Sequence, residues 1–332
     1  TEGFPVAKKR KKVWPWMLVA LVGGFGLGTA YMLRPSDQGE TRITITKGST
    51  VNRTLRDLAS KGVVHSAELA ILMAKINKVT KIKEGVYVIR PHATLSQVFD
   101  DLDNVVQVPV RCPEGFWIAR TAASLEKQGF CKAKDYLQAT YTLKAALPTG
   151  ANPDPRESGF EGMLLPDTYM LPPKATATDL VSKQLEAFAA KAEPIIGSAD
   201  TNHILTVASL IELEASDPEE RRIIAGIIEN RLKKNMRLEI DATVLYAMQE
   251  WKVLPSGFVH SVDSAYNTYN HAGLPPGPIG SPSLESIKAA VNPTASDYLF
   301  YVSKGHDHHY FAKTYAEHQA NINRARAEQG AK

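Results

Sequence analysis

Cysteine is nearly missing from this chain of 332 residues: there are two, Cys112 and Cys131. Neither has the neighbouring Cys or His of a zinc site, so no metal is expected, and a scaffold built on disulfides is excluded. The pair reads either as one disulfide or as two buried thiols. Three catalytic signatures are missing as well. There is no phosphate-cradling G-x-x-x-x-G-K-[ST] loop, no G-x-S-x-G elbow and no H-E-x-x-H helix. Phosphoryl transfer, serine hydrolysis and zinc proteolysis therefore have no support, and no cofactor is expected. Charge of one sign is scarce too. The formal net charge is +4, and Lys8, Lys9, Arg10, Lys11 and Lys12 against Glu2 account for all of it. Everything after residue 12 is neutral in sum, which argues against a basic nucleic-acid surface.

Long apolar runs are absent with one exception. "VWPWMLVALVGGFGLGTAYML", residues 13–33, carries no charge and has about the ~20 residues that a membrane-spanning helix needs. Trp14, Trp16 and Tyr31 lie near its ends, where amphipathic aromatics favour the interface. A cleaved signal peptide would have an apolar core of ~7–15 residues and a small-residue cleavage site. The longer run followed by "YMLRPS" reads instead as an uncleaved anchor. The basic tail at 1–12 then stays cytoplasmic and residues 35–332 lie outside the cytoplasm.

The remainder, 44% hydrophobic and 22% charged over the whole chain, is ordinary globular composition of mixed α+β class. Residues 41–105 read as a small strand–helix–helix–strand–helix module. "TRITITKGST" alternates, "VNRTLRDLASKG" and "AELAILMAKINK" have helical spacing, "KEGVYVIRP" is a strand and "TLSQVFDDLDN" a capped helix. A larger domain at 106–327 opens with the strand "VVQVPVR". It continues through the helix "WIARTAASLEKQG", an extended "EGMLLPDTYMLPP" and the helix "TATDLVSKQLEAFAAKAEPII". Residues 273–282, "GLPPGPIGSP", cannot form a regular helix or central strand and read as a rigid loop walling a cleft.

"SLIELEAS", residues 209–216, places Glu212 and Glu214 in an otherwise apolar or small run. On a helix they point about 200° apart and share no face. Glu214 falls among Val207, Leu210 and Ile211; Glu212 lies beside Leu205 and Ser209. Asp217 and Pro218 open the next helix, so Glu214 stands in a last turn. Apolar company and the negative helix end both favour its protonated form, as a general acid requires. The structural alternative is a glutamate paired with Arg221, Arg222 or Arg231. Glu212 is the weaker catalytic candidate.

"FEGMLLPDTY", "TVASLIELEAS", "IIENRLKKNMRLEIDATVLYAM", "AYNTYNHAGLPPGPIGSPSLESIKAAVNP" and "DYLFYVSKGHDHHYFAKTYAEH" occur in this order. Together they resemble the YceG-like endolytic murein transglycosylases over nearly the whole chain. The resemblance implies an inner-membrane, single-pass enzyme with a periplasmic catalytic domain. It would cut nascent peptidoglycan strands internally between MurNAc and GlcNAc, leave 1,6-anhydro-MurNAc ends and so limit strand length. It implies a LysM-like glycan-binding role for 41–105, and it assigns the acid of the family's Glu-x-Glu stretch to Glu214. The residue between the two acids, usually basic in the family, is Leu213 here. Peptidoglycan synthases and division proteins would be neighbours.

A single carboxyl then serves as acid and as base, and the oxocarbenium-like transition state needs polar support. Candidates for substrate contact are Tyr266, Asn267, Thr268 and Tyr269 of "YNTY", with Asn230, Arg237 and Asp241. For the first four the bland reading is a buried turn; for the rest it is caps and ion pairs. His306, His308 and His309 lack the acid or cysteine set that would complete a metal site, and His309, with Glu317 and His318, fits packing or a cleft rim. Two rivals stay open. One is a wall-binding division scaffold without activity. The other is a muramidase-type hydrolase with a second carboxylate from Glu161, Asp167 or Asp241.

Overall fold

The computed structural model describes residues 34–143, 160–255, 257–305 and 308–330. The 13–33 run and His306 lie outside them, and no helix among the described residues is long and apolar enough to cross a membrane. The fold is mixed α+β, and the chain divides into two compact units between Pro109 and Val110.

The first unit contains β1 (Thr41–Ile45), α1 (Val51–Ser60), α2 (Ala67–Ile76), β2 (Gly85–Ile89) and α3 (Leu95–Leu102). β1 and β2 are antiparallel, running from Thr41 opposite Ile89 to Ile45 opposite Gly85. β2 then pairs with the start of β3 (Val105–Cys112) through a register shift at Val86 and Tyr87. Gly85 has to be glycine: its φ is +144°, and a Cβ there would sit 2.5 Å from the carbonyl oxygen of Gln107. Thr50, Ser66 and Thr94 cap the three helices with their hydroxyls. Each thereby satisfies one amide that the first turn leaves without a partner. The core gathers Ile43, Ile45, Leu55, Leu58, Ala70, Tyr87, Ile89 and Val98. At its edge Asp101 is buried and accepts from the Arg90 backbone N–H at 2.9 Å and from its guanidinium. Burial pushes this carboxyl up, but the bonds from Arg90 outweigh it and leave the pKa below the usual aspartate value.

In the second unit β4 (Asp167–Leu171) neighbours β3. Around them stand α4 (Ile118–Gln128), α5 (Ala133–Thr142), α6 (Ala177–Lys191) and the one-turn α7 (Glu193–Ile196). The expected single helix over 176–196 is thus broken at Ala192, just ahead of Pro194, which cannot donate to the helix ladder. The central element is α8 (Thr201–Glu214). Ile204, Leu205, Val207, Ala208, Leu210 and Ile211 are all buried, as are Thr206 and Ser209, so the middle of the helix is covered on every side and lies inside the core. α9 (Pro218–Lys233), α10 (Asp241–Met248) and α11 (Leu284–Val291) pack around it. An antiparallel hairpin of β5 (Phe300–Gly305) and β6 (His308–Ala312) follows, backed by α12 (Tyr315–Gly330).

The proline-punctuated loop at 273–282 has neither helix nor strand, as its sequence dictates. It is largely buried against α8. The Ile279 N–H donates to Ser209 Oγ at 3.0 Å. Gly115 N–H donates to the Ser281 carbonyl at 2.8 Å, and Ser281 N–H to that of Phe116 at 3.0 Å. Cys112 and Cys131 are both free thiols, the first buried; burial pushes its pKa up to about 12.

Candidate active site

The two glutamates of α8 go to opposite fates. The helix ends because Ala215 turns extended, with φ −144° and ψ 140°, and Asp217 caps α9 two residues later. Glu212 points toward α11. Its Oε2 accepts from the Ser283 N–H at 2.9 Å and from the Ser283 hydroxyl at 2.5 Å, and its Oε1 from Arg221 at 3.2 Å. Arg221 also donates to the Ala215 carbonyl at 2.8 Å and to Ser283 Oγ at 3.0 Å. The Glu212 side chain is 7% exposed, and both of its oxygens accept hydrogen bonds. It serves as a clasp, joining the end of α8 to the start of α9 and α11. The arginine pairing weighed for Glu214 is found at Glu212 instead, where Arg221 is the partner.

Glu214 points the other way and is half-buried. Among the described residues one hydrogen bond reaches it: the Tyr301 hydroxyl donates to Oε2 at 2.9 Å. Burial raises its pKa above the usual glutamate value; the Tyr301 bond opposes this, the negative charge of Asp241 adds to it, and His309 opposes it weakly. The position at the negative end of α8 works in the same direction as burial. Tyr301 itself is held well above the usual tyrosine value, by burial first and then by Glu214, so its hydroxyl stays a donor.

Asp241, at the start of α10, is exposed and is held from one side by Tyr269, whose hydroxyl donates to Oδ1 at 2.6 Å. The "YNTY" turn delivers Tyr269 to that place. Asn267 is fully buried. Its amide donates to the carbonyls of Val259 and Val262 at 2.8 Å, while its Oδ1 accepts from the Tyr269 N–H. Thr268 Oγ1 accepts from the Ile240 N–H at 3.1 Å and meets Thr243 Oγ1 at 3.0 Å. Asn267 thus shapes the turn, and Thr268 fastens it to the first residues of α10. Tyr266 is buried with its ring 4.8 Å from that of Tyr246.

The remaining sequence candidates separate. Asn230 donates to the carbonyls of Ser296 and Tyr298, anchoring the approach to β5. Arg237 is exposed, and its carbonyl accepts from Arg231. Arg231 is buried and also donates to the Leu238 and Leu299 carbonyls at 2.7 Å. It therefore ties the strand that carries Tyr301 to the segment that leads to Asp241. Of the nominated second carboxylates, Glu161 accepts from the Ile118 N–H at 3.1 Å and caps α4. Asp167 pairs with Lys191 at 3.1 Å. Asp241 alone of the three acts electrostatically on Glu214. His308 and His309 both turn to Glu220, with Nδ1 contacts of 3.1 and 2.7 Å.

Sequence reasoning did not anticipate Tyr301, the Glu212–Arg221–Ser283 clasp or the Glu220–His309 pair. The run of aromatic and β-branched residues "FYV" ahead of Gly305 was the available strand signal for the first. The clasp reaches from Glu212 to Ser283 over 71 positions and the pair from Glu220 to His309 over 89, and no short-range pattern carries either.

Among families of known proteins, the YceG-like family matches residues 43–324. A protein named endolytic murein transglycosylase from Bacillus subtilis (strain 168) is 29% identical, over 90% of this chain and 89% of that one. One of the same name from Streptococcus pneumoniae serotype 2 is 28% identical over 92% of this chain. The chain spans only 63% of the length of that pneumococcal relative. A crystal structure of a YceG-like protein from Listeria monocytogenes aligns with a TM-score of 0.62 and 29% identity. The alignment covers 85% of this chain and 98% of that one.

Proposed function

Because the chain belongs to the YceG-like family, we propose that it is an endolytic murein transglycosylase with Glu214 as its acid and base. The observation that carries this reading is the state of Glu214: a carboxyl kept toward its protonated form by burial and by Asp241, at the open end of a core helix. The relatives from Bacillus subtilis and Streptococcus pneumoniae carry that activity in their names.

The chemistry needs one such group. Glu214 gives its proton to the oxygen bridging MurNAc C1 and GlcNAc C4 as the C1–O bond breaks. The resulting carboxylate takes the proton from the muramic C6 hydroxyl, whose oxygen closes onto C1 to give the 1,6-anhydro end. Water does not enter, and Glu214 returns to its starting state. Asp241, fixed by Tyr269, lends negative charge near the oxocarbenium-like carbon. Tyr269 and the exposed Arg237 are the substrate contacts we favour. Asn267, Thr268 and Asn230 act by holding the backbone around the cleft. The first unit serves as a LysM-like glycan-holding module, and residues 13–33 anchor the protein in the membrane beside peptidoglycan synthases and division proteins.

One observation favours a second reading. Asp241 is a second carboxylate within electrostatic reach of Glu214, as a two-carboxylate muramidase requires. Product mass separates the readings. Purified sacculi digested with the protein should yield anhydro-terminated fragments. Fragments heavier by one water would make the protein a hydrolase, and no fragments at all would leave a wall-binding scaffold.

A further inference from the structure

The β5–β6 hairpin brings to Glu214 a side chain that no sequence motif assigns to chemistry. Tyr301 stands opposite Phe311, and Ser303 opposite His309. On one face of an antiparallel pair, side chains meet both directly and along the diagonal. Tyr301 and His309 are such diagonal neighbours, with rings edge-on at 5.6 Å. His309 is itself pinned: its Nδ1 lies 2.7 Å from Glu220 Oε2, and its backbone N–H donates to Glu220 Oε1 at 3.2 Å. The Tyr301 ring therefore rests against an anchored imidazole, and its hydroxyl donates to Glu214 Oε2 at 2.9 Å.

A carboxylic acid has two oxygens and one proton to give. The oxygen that accepts from a phenol has a lone pair committed there and stays the carbonyl oxygen when the group is neutral. The proton is left on the other oxygen. We propose that Tyr301 is a positioning residue for the catalytic acid: it fixes the orientation of the Glu214 carboxyl and directs the transferable proton to Oε1. The proposal rests on the reading of Glu214 as the acid.

Among the described residues, four ionisable groups act on this carboxyl: Tyr301 on β5, His309 on β6, Asp241 on α10, and Tyr269, which is bonded to Asp241. Arg231 of α9 acts on Tyr301. Burial and Asp241 favour the neutral form, whereas the Tyr301 bond and His309 favour the charged one. Losing the phenol hydroxyl should therefore move the titration of Glu214 upward, by about one pH unit for one charge-assisted hydrogen bond.

The test is Tyr301→Phe in the full chain, which keeps the ring and removes only the donor. Carbon NMR of the glutamate carboxyls without glycan, assigned with Glu214→Gln, should show Glu214 titrating about one unit higher. With sacculi as substrate, the kcat plateau should fall about fivefold with KM unchanged, while the alkaline limb moves up by the same unit. A merely structural tyrosine would not shift that limb. An unmoved Glu214 titration and limb, in a parent that cleaves glycan, would overturn the proposal. A parent that does not cleave would overturn the catalytic reading beneath it.

Discussion

Glu212 and Glu214 show how two identical side chains one residue apart acquire different work. The helix sends them to different sides, and the neighbours decide the rest. A buried carboxylate is stable only when paired and hydrogen-bonded; Glu212 has Arg221 and Ser283, whereas Glu214 has, among the described residues, one neutral donor. Small residues matter here as well, because the site is built by close backbone approach. Gly280 lies where a Cβ would come 2.8 Å from the Gly115 carbonyl oxygen, and the three nearest atoms are all main chain. Gly280→Ala should therefore destabilise the protein by about 2 kcal/mol, read as a lower urea midpoint at unchanged slope. Gly115 is constrained differently: its φ is +69°, which favours glycine, while its own Cβ would meet only the tip of the Leu213 side chain, at 2.8 Å.

Elements were legible where one short pattern decided them. The break between Glu214 and Pro218 was written in Asp217 and Pro218, and the helix caps at Ser66 and Thr94 in their hydroxyls. The same reading left α5 and the β5–β6 hairpin undrawn. What it could not supply was which elements meet, because the clasp from Glu212 to Ser283 spans 71 positions and the bond from Tyr301 to Glu214 spans 87. A third such link joins the start of α8 to α9: His203 Nε2 lies 2.7 Å from Glu229 Oε1. The bond raises the pKa of His203, and its counterpart lowers that of Glu229. The histidine's contribution is complete below its ordinary value of 6.5 and is lost as pH rises through its raised folded value. The glutamate's is complete above its ordinary 4.5 and is lost as pH falls through its depressed folded value. The stability difference between the parent and His203→Gln should thus be largest between these two values and shrink on either side. With the histidine side chain 37% exposed, solvent screening keeps it below about 1 kcal/mol. Chemical denaturation at a series of pH values checks the shape.

In the whole molecule, the proposed chemistry belongs to the second unit and the proposed glycan holding to the first. Each has its own core. Tyr269, Asp241, Tyr301 and Glu214 come from four separate stretches of the second unit and are set by Asn267, Thr268 and Arg231. The sequence marked most of these residues as a group through family resemblance, while the division of labour among them depended on three-dimensional contacts. The central claim is that α8 carries one reactive and one structural glutamate. The most direct measurement compares Glu214→Gln and Glu212→Gln side by side, for release of anhydro-terminated glycan and for thermal midpoint. The account predicts that Glu214→Gln loses product while keeping the midpoint, and that Glu212→Gln lowers the midpoint while keeping product at temperatures where it stays folded. Product persisting in Glu214→Gln but vanishing from a folded Glu212→Gln would contradict it.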